Sequence, residues 1–218
     1  MVNLENTIIT IPKTTLSSLP AECFTGNVKV IDNASDVDNA LKELRKYKIL
    51  GFDTETRPSF KKGQSYKVAL IQLSSSECTY LFRTNLIGFP QGLMDLLGDE
   101  NIIKVGVSTH DDFHNINKIV PLNPKGVIEL QTFVKRYKIA DNSLSRLYGI
   151  IFGKRISKAQ RLTNWEVPEL SAAQINYAAL DSYACLSIYN HLIAGKFNPL
   201  KSEFLTMQVE PSQDSSNM

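Results

Sequence analysis

Apolar and polar positions along the chain fall into two regimes. From residue 27 to about 84 the pattern is strand-like. "NVKVID" (27–32) alternates, and the runs "ILGFDTE" (49–55), "KVALIQLS" (67–74) and "CTYLFRT" (78–84) are rich in β-branched and aromatic residues. The Lys/Gly/Ser segments between the last three predict a meander of hairpins. One amphipathic helix interrupts them, "SDVDNALKELRKY", opened by Ser35 with Asp38 three residues on. Further along, the pattern turns to alternation: helical "QGLMDLLG", strand "NIIKVGVS", helix "DDFHNINKIV" and a short run "GVIEL". Helices follow in "QTFVKRY", "SLSRLYGIIFG" and the long "SAAQINYAALDSYACLSIYNHLIA". Strands first and helices after, with β/α alternation between, predict an α/β fold: a mixed sheet flanked by helices. Residues 1–26 read as an N-terminal arm, 27–196 as the domain, and the polar 197–218 as a C-terminal tail expected to be disordered.

Composition narrows this little. The 218 residues are 43% hydrophobic and 21% charged, an ordinary globular balance with length for a large core. A net charge of +2 excludes a strongly basic coat, so a polyanionic partner would be held by local basic patches or by metal. The cysteines, Cys23, Cys78 and Cys185, are odd in number and far apart. That predicts free thiols in a reducing, cytoplasmic setting rather than a disulfide framework or zinc module. "MVNLENTIITIPK" lacks a basic stretch followed by a long apolar one, so no secretory signal is expected. No apolar run approaches the ~18 residues of a membrane span, so no membrane partner is expected.

The chemistry lies in where the apolar runs end. Asp53 and Glu55 close a core strand, and side chains two apart on a strand share a face, roughly 7 Å from each other. A strand end in water would explain the pair by itself. A second strand runs out into Asp111 and Asp112 at a helix start, where an acid also serves the free amides of the first turn. The third point is harder to dismiss. Tyr177 and Asp181, four apart, share a helix face that continues through Cys185 and Ile188. An acid on an inward stripe is costly unless paired, and no basic residue lies within a turn of it on this helix. Carboxylates converging in a low-dielectric site repel strongly, and all-oxygen anionic clusters are what Mg²⁺ and Mn²⁺ select. A divalent cation would explain why Asp53 and Glu55 face the same way.

"FDTET", "DDFHN" and "YAALD", in this order, closely resemble the three motifs of the DEDD 3′–5′ exonuclease superfamily. Tyr177 four residues before Asp181 resembles the tyrosine-containing branch, which includes ribonuclease D and the exonuclease domain of the Werner syndrome protein. "KVALIQL", "KVGVSTHDD" and "LTNWEVPELSAAQINYAALDSYACLSIY" extend the resemblance over most of residues 27–194. It implies a ribonuclease H-like fold and release of nucleoside 5′-monophosphates from nucleic-acid 3′ ends. By resemblance, Asp53, Glu55, Asp112 and Asp181 bind two ions, Mg²⁺ or Mn²⁺. Asp53 would bridge both, Glu55 and Asp181 would hold the ion that activates water, and Asp112 would support the second. Tyr177 would hydrogen-bond the attacking water. A phenol of ordinary pKa near ~10 is protonated at neutral pH, so it orients water rather than acting as an outright base. Asp111 is then only a neighbour of the second-motif acid.

Nucleic acid, DNA or RNA, is the expected partner, and substrate contacts are sought among basic clusters. These are Lys61/Lys62/Lys67, Lys135/Arg136/Lys138 and "KRISKAQR" with Lys154, Arg155, Lys158 and Arg161. The last leads into the third motif and is the best phosphate track. Arg57 is placed to reach a phosphate, and Trp165 either stacks on a base or packs against a helix. Two rivals remain. One is a non-catalytic nucleic-acid-binding module of the same fold. The other is a zinc metallohydrolase using His110 and His114, whose "HDDFH" is similar to H-E-x-x-H but one methylene short at the acid. "GIIFGKR" is too far from a phosphate-binding loop to argue from.

Overall fold

The computed structural model describes residues 6–61 and 63–207. Residues 1–5 of the expected arm, Lys62, and the final eleven residues of the expected tail, 208–218, lie outside them.

A six-stranded mixed sheet organises the molecule, in the order β2-β5-β4-β3-β6-β7. Its strands are β2 (Asn27–Ile31), β3 (Ile49–Thr56), β4 (Val68–Ser74), β5 (Cys78–Phe82), β6 (Ile103–Gly106) and β7 (Val127–Glu129). β3, β4 and β5 pair antiparallel, the meander that the three β-rich runs predict. β2 lies parallel to β5 at one edge, and β6 and β7 extend the sheet in parallel from β3. The mixed sheet flanked by helices is the expected α/β architecture.

Period-two alternation divides β3 between two cores. Phe52 faces α2 (Ala34–Leu44), α4 (Gln91–Gly98) and α5 (Thr109–Asn117), among Leu41, Leu44, Leu93, Leu97 and Ile116. Its ring stacks on Phe113 with centroids 4.6 Å apart. The opposite face of the sheet carries α8 (Ala172–Ile193), with α7 (Leu144–Phe152) packed against it. α2 is capped by the Asn33 side chain, which accepts from the Ser35 amide at 3.1 Å. The capping residue is therefore Asn33 rather than Ser35, because Asn33 holds the extended backbone that lets an N-cap oxygen turn back onto the first turn.

The described part of the segment expected as an arm, residues 6–26, is packed into the body. Ile9 and Ile11 are wholly buried in the cluster that includes Leu147 and Ile188, and Thr7 is also buried. Those alternating positions put one side of a strand on the core. β1 (Thr7–Ile9) pairs antiparallel with β8 (Leu205–Met207), and a short helix α1 (Lys13–Ser18) follows. Phe197, Phe204 and Leu205, within the stretch read as a tail, pack on the same cluster. Both flanks differ from expectation for one reason: three-residue strands are too short to leave a periodic signal.

Candidate active site

The site is built where α8 crosses β3. Gly51, Asp53 and Glu55 share the strand face turned toward this helix. A Cβ on Gly51 would lie 1.9 Å from the Ser182 carbonyl oxygen, so only glycine permits so close an approach. That approach delivers Asp181. Carboxylate oxygens of Asp53, Glu55 and Asp181 lie within 4.8 Å of one another. α8 is fixed at its start by a capping box between Ser171 and Gln174. The Gln174 amide also donates to Thr163 Oγ1 at 3.1 Å and to the Asn164 carbonyl at 3.0 Å.

Asp112 arrives from the other side of the sheet, on the first turn of α5. Ser108 precedes the helix with φ 62°, left-handed backbone that non-glycine residues seldom adopt. The Thr109 amide and hydroxyl both donate to Glu129 Oε2, at 2.8 and 3.0 Å, and Glu129 Oε1 accepts from the Gln131 amide at 3.1 Å. With the helix start held, Asp112 Oδ1 accepts from Thr54 Oγ1 at 2.5 Å. Asp111 points outward beside His110, its side chain 82% exposed. Of the two neighbours, Asp112 faces the cluster, though outside the tight trio.

Burial and mutual repulsion show in the protonation of these groups. Asp53 is held well above the ordinary carboxylate range, by burial first and then by the charges of Asp112, Asp181 and Glu55. Burial, then Asp181 and Asp112, pushes Glu55 up to about 9, with Arg161 opposing. Burial raises Asp112 to about 7 against the Thr54 hydrogen bond, and raises Asp181 to about 7 against Tyr177 and Lys158. Buried acids that resist ionisation together, with only oxygen donors among them, fit a hard divalent cation. Tyr177 hydrogen-bonds Asp181, and burial followed by that carboxylate's charge keeps the phenol protonated.

The structure divides the basic candidates. Lys158 and Arg161 line a cleft of about 370 Å³ with Asp53, Tyr177, Asp181 and Cys185. Lys154 pairs instead with Glu22 at 2.9 Å, and Arg155 Nε donates to the Leu19 carbonyl. Neither lines that cleft. Arg57 lies over the Tyr66 ring and 3.5 Å from Glu166. Lys61 and Lys67 are exposed, whereas Lys135 and Arg136 belong to a 3-10 turn whose Tyr137 bonds the Leu192 carbonyl, far down α8 from Asp181. Base stacking by Trp165 is corrected: its ring is wholly buried with Leu70, Leu81 and Ala178, so no base reaches it. It lies 6.1 Å from the Tyr177 ring and packs beneath it. His110 and His114 stand exposed with ring centroids 6.4 Å apart, but His191 packs edge-on against Phe152, and among the described residues no cluster of three or more possible metal ligands includes a histidine. Gly149 of "GIIFGKR" lies inside α7 rather than in a loop.

Three contributors escaped sequence reasoning. Thr54 and Glu129 fix Asp112 through side-chain bonds that no spacing rule reveals. Gln72 is paired directly across the ladder from Asp53 and wholly buried. Neither of its amide atoms has a hydrogen-bond partner among the described residues. A lone amide inside the apolar run "ALIQL" was the available signal.

A sequence model of the 3′–5′ exonuclease family matches residues 28–194. The chain is 34% identical over 186 residues to the bifunctional 3′–5′ exonuclease/ATP-dependent helicase WRN of Mus musculus, covering 80% of this chain but 13% of that protein's length. In fold it is similar to the Nibbler EXO domain of Aedes aegypti, with a TM-score of 0.72 at 21% identity over 83% of this chain and 97% of that one. It is also similar to Trypanosoma brucei RNase D in complex with RNA U12, with a TM-score of 0.69 at 20% identity over 85% of this chain and 66% of that one.

Proposed function

Because the chain belongs to the 3′–5′ exonuclease family of the DEDD superfamily, we propose that it hydrolyses phosphodiesters at nucleic-acid 3′ ends, releasing nucleoside 5′-monophosphates with Mg²⁺ or Mn²⁺. The observation that carries this reading is the convergence of Asp53, Glu55 and Asp181, with oxygens within 4.8 Å, from a strand and a helix more than a hundred residues apart in sequence. Asp53, Glu55 and Asp181, with Asp112 beside them, would hold the ions. When bound, a pair of divalent cations supplies neutralisation of phosphoryl charge and acidification of water.

The chain's own groups supply the rest. Tyr177, protonated and bonded to Asp181, keeps a hydroxyl beside the carboxylates to orient water. Lys158 and Arg161 present cations at the cleft wall, where a scissile phosphate and its neighbour would lie. Trp165 supports the Tyr177 ring from beneath. Residues 27–196 hold all of these groups and form the catalytic unit, with a nucleic-acid strand as partner. Three unpaired cysteines are in keeping with a reducing, cytoplasmic setting. No helix among the described residues is long and apolar enough to cross a membrane.

The test follows nucleotide release from 3′-tailed DNA and RNA oligonucleotides, with Asp181→Ala as the blank. Mg²⁺ or Mn²⁺ should support release and chelator should abolish it. Release surviving both chelator and Asp181→Ala would overturn the proposal. Tight 3′-end binding without release by the unaltered protein would favour a non-catalytic module instead.

A further inference from the structure

The cleft holding Asp53 and Asp181 does not end at Lys158. A second groove, about 410 Å³, adjoins it and shares Ser143, Ser145, Ile156 and Lys158 as common wall. Lys13, Arg146 and Arg155 complete its charged lining, and no carboxylate lines it among the described residues. One cleft therefore carries acids and bases together, while its continuation carries cations alone. Lys13 and Arg155 approach it from opposite sides in sequence, one from the segment before the sheet and the other from the segment after α7.

The groove is rigidly made. The Ile11 amide donates to Asp141 Oδ2 at 2.8 Å, and Arg146 Nη1 donates to the Ile11 carbonyl at 2.9 Å. Arg146 also pairs with Asp141 at 2.7 Å, so its charge is partly compensated. On the other flank the Arg155 amide donates to the Pro20 carbonyl and the Glu22 amide to the Arg155 carbonyl, both at 2.9 Å. These bonds fix α1 as one wall. Lys13 makes no ion pair among the described residues and is exposed at the groove's rim, so its charge faces outward while the backbone around it does the anchoring.

We propose that this groove is the track for the single strand behind the reacting 3′ end, with Lys13, Arg155 and Lys158 as successive phosphate contacts. The inference rests on the exonuclease reading and extends it to substrate form. A polyanionic backbone running through an all-cationic groove gains from counterion release at each neutralised phosphate. A single strand can lay successive phosphates along such a lining, so a tail long enough to pass Lys158 and reach Lys13 is the favoured substrate. The N-terminal segment is then part of the substrate surface and not an appendage.

Binding is measured by fluorescence anisotropy in chelator, so no turnover is needed, with single-stranded DNA and RNA from dinucleotide to about ten residues. Affinity should rise with length in the unaltered protein. Lys13→Glu should weaken the longest strands about fivefold and flatten their salt dependence by roughly one phosphate contact, leaving dinucleotides unchanged. Lys13→Ala should do the same more mildly, and Lys154→Ala, whose charge is engaged with Glu22, should not. Equal binding of long strands by Lys13→Glu and the unaltered protein would overturn the track while leaving the exonuclease reading intact. Long strands bound normally but never shortened after metal is restored would instead overturn the exonuclease reading.

Discussion

One strand, β3, sends its side chains into two environments of opposite energetic sign. On one face Phe52 is wholly buried and stacked on Phe113, and removing that much apolar surface from water stabilises the fold by about 2–3 kcal/mol. On the other face burial works against Asp53 and Glu55, raising both and setting them against Asp181 and Asp112. The first face makes the molecule stable, and the second spends part of that stability on a cluster that repels itself without a cation. A site of this kind needs a strong core directly behind it, and here the two are a single peptide plane apart.

The sharpest way to break the comparison is Asp53→Asn. Nucleotide release should fall by about a thousandfold or more, because one of the carboxylates that would hold the ions is lost. The metal-free protein should nonetheless melt a few degrees higher, since one buried like charge is gone. A lower melting temperature in chelator would show that the cluster does not oppose folding. Next in size is Gly51→Ala, which drives a methyl group against the Ser182 carbonyl. It should cost about 3 kcal/mol in urea denaturation and displace Asp181 with α8. Unchanged stability would mean that the approach of helix to strand is looser than the geometry requires.

A pH series sharpens the contrast further. Asp112 and Asp181 are raised to about 7 and Glu55 to about 9, so the native state keeps protons that the unfolded chain releases from ordinary carboxylate values upward. Their stabilising contribution is complete below those ordinary values and is lost as pH rises through the raised ones. Metal-free melting temperature should therefore fall between about pH 5.5 and pH 8, and saturating Mn²⁺ should flatten or reverse the slope by favouring the ionised forms. A metal-free slope of the opposite sign would contradict the arrangement. The smallest effect is expected from Thr54→Val, which deletes the bond to Asp112 without changing shape. It should raise the half-saturating metal concentration about tenfold, the scale of a hydrogen bond to a charged group at about 1.5 kcal/mol, and leave the Phe52–Phe113 stack in place.

Much of the site was legible because periodicity is a local rule. Two residues on a strand and four on a helix fix which side chains share a face, so Asp53 with Glu55 and Tyr177 with Asp181 followed from spacing. Choosing Asp112 over Asp111 needed the family resemblance, since either acid suits a first helical turn and they separate only in the folded chain, where Asp111 is exposed and Asp112 is bonded to Thr54. Trp165 was not legible: an irregular segment carries no period to say which way an indole points. The same holds for "KRISKAQR", where four cations of one composition divide between the cleft and the N-terminal segment. Short strands at both flanks hid Ile9 and Leu205 from any pattern of useful length.

The stretch from Thr163 to Pro168 has no regular secondary structure of any length, yet nearly every residue in it is tied down. Thr163 and Asn164 hold Gln174, Trp165 is buried, Glu166 meets Arg57, and the Val167 and Pro168 carbonyls accept from the buried Arg83 guanidinium. Connecting segments ordinarily absorb insertions and deletions. Adding or removing one residue here would slide the indole, the guanidinium and the helix start out of step with one another, whereas the turn at Gly63, with open space around it, would take the same change quietly. Variation in chain length among functional versions of this domain should therefore gather at the second place and spare the first.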